Sequence, residues 1–174
     1  MKLNKIMLAA VMTLGTISMA NAANQGNGSV TFTGSITDAP CSIEPGSLDQ
    51  TVKLGDIASV QLKKGGKSTP QDILIKLVGC DLPTAKNVIT TFTGAESETS
   101  PGLLAIKGTA RGASIAINDV DGKLLPLGEK SKPQEVEDGQ ATLRFSAYLQ
   151  GDSASESVTP GEFSSVADFT LAYQ

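Results

Sequence analysis

Ala167-Asp168-Phe169-Thr170-Leu171-Ala172-Tyr173-Gln174 alternates in polarity residue by residue. Ala167, Phe169, Leu171 and Tyr173 share one face and Asp168, Thr170, Ala172 and Gln174 the other, the period of two that marks a half-buried β-strand. A second stretch has the same pattern: Val30, Phe32, Gly34 and Ile36 alternate with Thr31, Thr33, Ser35 and Thr37. With no residue written after Gln174, the sequence predicts a fold that begins and ends in sheet edges. A free sheet edge recruits further strands.

The first 22 residues stand apart from that pattern. Lys2 and Lys5 precede a mostly apolar run from Ile6 to Ile17, and Ala20-Asn21-Ala22 places small residues at the two positions a signal peptidase reads. Met1–Ala22 therefore reads as a secretory signal peptide cleaved after Ala22. The run falls short of the roughly 20 apolar residues of a membrane-spanning helix. Ala23–Gln174 is then the exported chain, 152 residues, enough for one domain with a real core. It carries 12 Lys plus Arg against 18 Asp plus Glu, a net charge of −6 with no basic run to offset it, which argues against nucleic acid or an anionic membrane as partner. Trp and His are absent, aromatics are few, and Gly, Ser, Thr and Val are plentiful, the composition of short strands joined by turns.

Cys41 and Cys80 both lie in the exported part. An even pair in an oxidising compartment reads as one structural disulfide, closing a loop worth on the order of 4 kcal/mol by the chain-entropy estimate. Between and beyond the cysteines the pattern stays β. Strands are predicted at Thr51–Ile57, Asp72–Val78, Asn87–Thr93, Ala113–Ile117, Leu124–Leu127 and Ala141–Gln150, with Leu143, Phe145, Ala147 and Leu149 sharing a face of the last. Lys63–Lys67, Gly94–Gly102 and Gly151–Gly161 read as loops and Asp121-Gly122 as a hairpin turn. No helical period of any length intervenes, so the expected architecture is an all-β antiparallel sandwich of the immunoglobulin-like kind.

Catalytic chemistry has little to work with. Without histidine there is no Ser/His/Asp or Cys/His arrangement and no imidazole metal ligand. Glu135, Glu137 and Asp138 read as a solvated turn rather than an acid/base pair. Asp119-Val120-Asp121-Gly122 places its glycine too early for a calcium loop. The chain reads as a non-enzyme, with no catalytic, cofactor or metal residues and no small-molecule substrate.

At both ends the residues carry a family resemblance. Val30-Thr31-Phe32-Thr33-Gly34-Ser35-Ile36-Thr37-Asp38-Ala39-Pro40-Cys41-Ser42-Ile43 resembles the N-terminal region of pilin subunits of chaperone/usher fimbriae. Gly161-Glu162-Phe163 through Phe169-Thr170-Leu171-Ala172-Tyr173-Gln174 resembles their closing motif, with glycine fourteenth from the end and tyrosine next to last. Val78-Gly79-Cys80 matches the place of the second cysteine. The resemblance is greatest to the major rod subunits of P-type fimbriae.

The resemblance implies an incomplete immunoglobulin-like sandwich lacking its seventh strand. Residues 23–36 would be an N-terminal donor extension and residues 37–174 the pilin domain. Val30, Phe32, Gly34 and Ile36 would enter a neighbour's groove, which Gly161, Phe169, Leu171 and Tyr173 would line or border. A periplasmic chaperone would fill that groove first, an outer-membrane usher would receive the subunit, and the product would be a homopolymer with minor pilins on the cell surface. The chain would be a structural subunit supporting adhesion. The alternatives are a minor adaptor or tip-proximal pilin, or a self-complete secreted glycan-binding β-sandwich.

Overall fold

The structure, a computed structural model, describes residues 28–81, 86–137, 139–152 and 158–174, and the chain divides into two units, Met1–Ile36 and Thr37–Gln174. The expected signal peptide lies outside the described residues, as does Asp138. In the second unit the short β1 (Ser42–Ile43) leads through α1 (Pro45–Leu48) and α2 (Ser59–Leu62) into β2 (Gln71–Cys80). Ile73, Ile75 and Leu77 of β2 are buried and Asp72, Lys76 and Val78 exposed, as the alternation requires. Then follow β3 (Asn87–Gly94), β4 (Leu104–Ala105), β5 (Lys107–Gly108), β6 (Ala113–Asn118), β7 (Gln134–Glu135), β8 (Gly139–Gly151), β9 (Phe163–Ser164) and β10 (Ala167–Tyr173).

One sheet has the order β1-β2-β8-β6-β4, a second β10-β3-β7, and β5 pairs with β9, all antiparallel. Register places Ile73 opposite Phe145, Ile75 opposite Leu143 and Leu77 opposite Ala141, so the inward faces of β2 and β8 form one apolar wall. Val88 and Phe92 of β3 supply the other, and all belong to one core cluster. Phe92 meets Phe145 edge to face at 5.0 Å between ring centroids and 84°, a contact across the sandwich worth about 1 kcal/mol beyond its area. The result is the two-layer antiparallel sandwich that the strand spacing predicts.

Three predicted strands differ. Thr51–Ile57 joins no ladder. Its Val52, Leu54 and Ile57 are half-buried against the core and Thr51, Lys53, Gly55 and Asp56 exposed, so the alternation reports a buried face with no adjacent edge to pair with. Leu124–Leu127 makes a single bridge from Leu124 to Asn118. Val30–Thr37 is in no strand either, and Val30, Phe32 and Ile36 are 76%, 89% and 104% exposed, because a strand without a neighbour has no ladder to join. Conversely, Tyr148 of β8 is buried on the face opposite Leu149, packed with Leu103 and Ala116 and with Lys67 Nζ 5.1 Å from its ring centroid.

The Asp121-Gly122 turn forms as expected, with Gly122 at φ 76° and its N–H donating to Asp119 at 2.9 Å. Its carboxylates are used internally. Asp119 accepts from the main-chain N–H groups of Val120 and Lys132, each at 2.7 Å, and Asp121 accepts from Lys132 Nζ at 2.6 Å. The Lys132 hydrogen bond holds the Asp121 carboxyl below its ordinary range.

Cys41 and Cys80 form a disulfide, Cα to Cα 4.2 Å, which joins the approach to β1 to the end of β2. Asp81 N–H donates to Pro40 C=O at 2.9 Å beside it. Cys41→Ser is expected to lower stability by about 4 kcal/mol, enough to remove the folded subunit, as read by denaturant unfolding of the purified chain and by its loss from the periplasm. In contrast, Thr90 on β3 is fully buried and its Oγ1 has no hydrogen-bond partner among the described residues, so Thr90→Val is expected to raise the unfolding free energy by about 1 kcal/mol. An unchanged or lower melting temperature for Thr90→Val would refute this.

Candidate functional site: an open strand edge above an apolar groove

Among the described residues β10 is paired on one side only. Gln174 and Asn87 exchange both main-chain hydrogen bonds, each at 3.0 Å, and antiparallel pairing alternates from there. Ala172, Thr170 and Asp168 therefore face β3, while Phe169, Leu171 and Tyr173 turn their N–H and C=O groups outward. The far side of β3 agrees: Phe92 C=O accepts from Gly128 at 2.8 Å and Thr90 C=O from Ser131 at 2.9 Å, both away from β10. Three residues thus present main-chain donors and acceptors on an edge that, among the described residues, no strand covers.

Beneath the start of that edge lies an elongated groove of about 940 Å³. One wall is the 48–57 segment, with Val52, Leu54 and Ile57 facing in. The other is the 158–169 segment, with Phe163 and Phe169 facing in, and the floor includes Phe92, Leu104, Ile115, Ile117 and Leu149. From Phe163 to Tyr173 every odd residue is half-buried and every even one exposed, so the second wall continues into β10 as one alternating edge.

Close packing fixes this wall. Glu162 C=O accepts from Thr109 and Ala110 at 2.9 and 3.1 Å, and Thr159 exchanges hydrogen bonds with Arg111 at 2.9 and 3.2 Å. Gly161 sits so near this segment that a Cβ would lie 2.6 Å from Ala110 N and closer still to Thr109 Oγ1, so no side chain fits there. The rim is charged: Asp49, Asp56, Glu162 and Asp168 stand against Lys53 and Arg111.

Of the residues singled out from sequence, Gly161 and Phe169 line the groove. Leu171 and Tyr173 lie further along β10, packed on the main core beyond the open groove, and burial pushes the Tyr173 phenol up. Val30, Phe32 and Ile36 are exposed, and a Cβ at Gly34 would meet nothing within 4 Å. The 48–57 wall, Phe163 and Arg111 were not anticipated as groove residues. The alternation of Val52 and Leu54 was the signal for that wall, although it read as an ordinary strand.

An apolar trough under unpaired main-chain groups suits an extended chain that adds as a strand while alternate side chains enter the trough. Comparison with known proteins agrees. The family model described as "Fimbrial protein" matches residues 30–174. The chain is 60% identical over 174 residues to the Fimbria A protein of Serratia marcescens, with 100% of both chains covered. It is 48% identical over 176 residues to the Major MR/P fimbria protein of Proteus mirabilis, again with 100% of both covered. Among solved structures, the crystal structure of the P pilus rod subunit PapA superposes with a TM-score of 0.69 at 31% identity, covering 78% of this chain and 100% of that one. A chaperone–usher pilus subunit superposes with a TM-score of 0.76 at 33% identity, covering 86% and 97%. With its sandwich, its disulfide and its closing motif all in place, this chain belongs to the fimbrial protein family and is an exported structural subunit of a surface fimbria.

Proposed function

We propose that this subunit polymerises head to tail by strand donation, residues 23–36 of one copy filling the groove and free β10 edge of the next. The observation that carries this reading is the open edge of β10 above an apolar trough, in a chain that also exposes Val30, Phe32 and Ile36 at alternate positions. Donor and acceptor are different surfaces, so the contact is heterologous and propagates as a filament instead of closing as a dimer. Gly34 would sit where the trough has least depth. Before polymerisation the groove needs a temporary occupant, the role of a periplasmic chaperone, with an outer-membrane usher as the site of exchange. The role is structural, not enzymatic: the groove offers shape, apolar surface and main-chain hydrogen bonds, and no acid/base pair converges in it.

Donor and acceptor variants should complement each other. Phe32→Asp places a carboxylate in the trough at a cost on the order of 3 kcal/mol, so capture of its extension by a wild-type groove should fall by about a hundredfold. That variant should still take up a synthetic peptide of residues 23–38. Phe163→Asp should show the reverse, failing to take up the peptide while its own extension is still captured. Each alone should form no filaments under electron microscopy or sedimentation, and the two mixed should form only short species ending in a dead groove. Long filaments from Phe32→Asp alone would overturn the donor assignment.

Loss of the acceptor wall's close packing should act through the same site. Gly161→Ala forces the 158–163 segment away from Thr109 and Ala110. Peptide uptake is expected to weaken by about tenfold or more, with a smaller change in the melting temperature of the peptide-free subunit. Equal uptake by wild type and variant would show that the wall's position does not govern capture.

A further inference from the structure

The donor segment and the groove differ sharply in charge. Residues 6–37 contain no Asp, Glu, Lys or Arg, and the first charged residue after Lys5 is Asp38, two positions beyond Ile36. Asp38 is exposed and forms no ion pair among the described residues. The groove rim, by contrast, carries four carboxylates, Asp49, Asp56, Glu162 and Asp168, against Lys53 and Arg111. An arriving carboxylate is repelled along most of that rim.

Arg111 differs from Lys53 in being held. Its main chain is paired with Thr159, and its Nη1 donates to Gly108 and Ala110 C=O, each at 2.6 Å. That leaves Nε and Nη2 without partners among the described residues, on an exposed guanidinium at the Thr159–Gly161 end of the groove. Lys53 stands on the opposite wall, in a segment with no ladder to fix it.

The alternation then selects a register. Opposed residues of paired strands point to the same side, so inward Val30, Phe32, Gly34 and Ile36 must face the inward odd residues of the wall. Running antiparallel, the better-paired direction, a strand that sets Val30 opposite Phe169 sets Phe32 opposite Ala167, Gly34 opposite Ser165 and Ile36 opposite Phe163. The ring of Phe32 then falls at Ala167, the smallest of the four wall residues it could face among Phe163, Ser165, Ala167 and Phe169, and Gly28 falls opposite Leu171, which is not among the residues lining the groove. In that register Asp38 stands opposite Gly161, beside the Thr159–Arg111 pair.

Resting on the strand-donation reading above, we infer that an intermolecular ion pair between Asp38 of the donor copy and Arg111 of the acceptor copy sets the direction and register of the inserted strand. A slip by two residues keeps every apolar side chain facing inward, so the direction in which they face does not by itself distinguish registers. The same slip moves Asp38 by about 7 Å, towards Glu162 in one direction. The ion pair therefore penalises the slip towards Glu162, an error that keeps every apolar side chain facing inward.

The test is a charge swap on the full chain purified from the periplasm with its groove occupant, using synthetic peptides of residues 23–40 and measuring uptake rate and dissociation. Peptide Asp38→Arg on the wild-type subunit, and wild-type peptide on Arg111→Asp, should each be taken up about tenfold less tightly. The two reversals combined should recover to within about threefold, and the differences should shrink at high salt. Arg111→Gln, which removes the charge but keeps an N–H donor and the main-chain pairing with Thr159, separates loss of charge from loss of the wall: it should lose the discrimination between the two peptides while keeping the wild-type melting temperature. Lys53→Glu should leave that discrimination intact. If the wild-type peptide is taken up but the reversals have no effect, or do not rescue one another, the ion pair is wrong and strand donation stands. If the wild-type peptide is not taken up at all, strand donation fails and the ion pair with it.

Discussion

Phe169, Leu171 and Tyr173 each turn both main-chain groups away from β3, and they do so above apolar side chains that cannot hydrogen-bond them. A main-chain N–H or C=O shut away from water without a partner costs on the order of 1 to 3 kcal/mol. This edge is therefore either wet, with the trough beneath it exposed, or covered by another strand. The remaining architecture follows from that condition. The 48–57 segment has side chains that face the core but no edge to pair with, because the place beside β10 where a further strand would complete the layer is open.

An incomplete core needs compensation elsewhere. The disulfide closes the chain across Cys41 and Cys80 and restricts the unfolded ensemble without adding core volume. Phe92 binds the layers together from the middle of β3, meeting Phe145 of the opposite sheet and Phe169 of the open-edged strand, with ring centroids 5.0 and 6.3 Å apart. The paired part of the sandwich thus stays rigid while one edge is unfilled. On the proposed strand donation, the exposed Val30, Phe32 and Ile36 would supply the complementary deficit: burying them in a partner is worth roughly 5 to 9 kcal/mol before ordering costs, on the scale of the stability of a whole small domain.

Alternation made much of this legible and also set the limits of what the sequence could show. In Asp72–Val78 and Ala141–Gln150 the period of two coincided with a neighbour on each side, so face and ladder were both right. In Thr51–Ile57 and Val30–Thr37 the same period marked only a face, because pairing depends on what stands beside a strand and no local pattern records that. Phe169 and Tyr173 looked equivalent in the closing motif. Only the three-dimensional course of the walls shows that Phe169 lines the groove and Tyr173 does not. The burial of Tyr148 on the opposite face left no trace in the local pattern, because its partner Leu103 is distant in sequence.

Charge makes the proposed strand donation rely on contact and not on long-range attraction. With its expected signal peptide removed the chain has a net charge of −6, so two copies repel at a distance, and the proposed donor segment carries no charged side chain with which to overcome this. At physiological ionic strength that repulsion is screened beyond about 8 Å, which permits encounter but gives no steering. Capture must then depend on the events after contact: ladder formation along β10 and burial of alternate apolar residues. Both terms accumulate residue by residue along the groove and both are lost only when the strand is withdrawn over its whole length. On the proposed strand donation, a strand without charged side chains in an apolar trough would be slow to find its place and slow to leave it, the kinetic property that a filament joined by such strands requires.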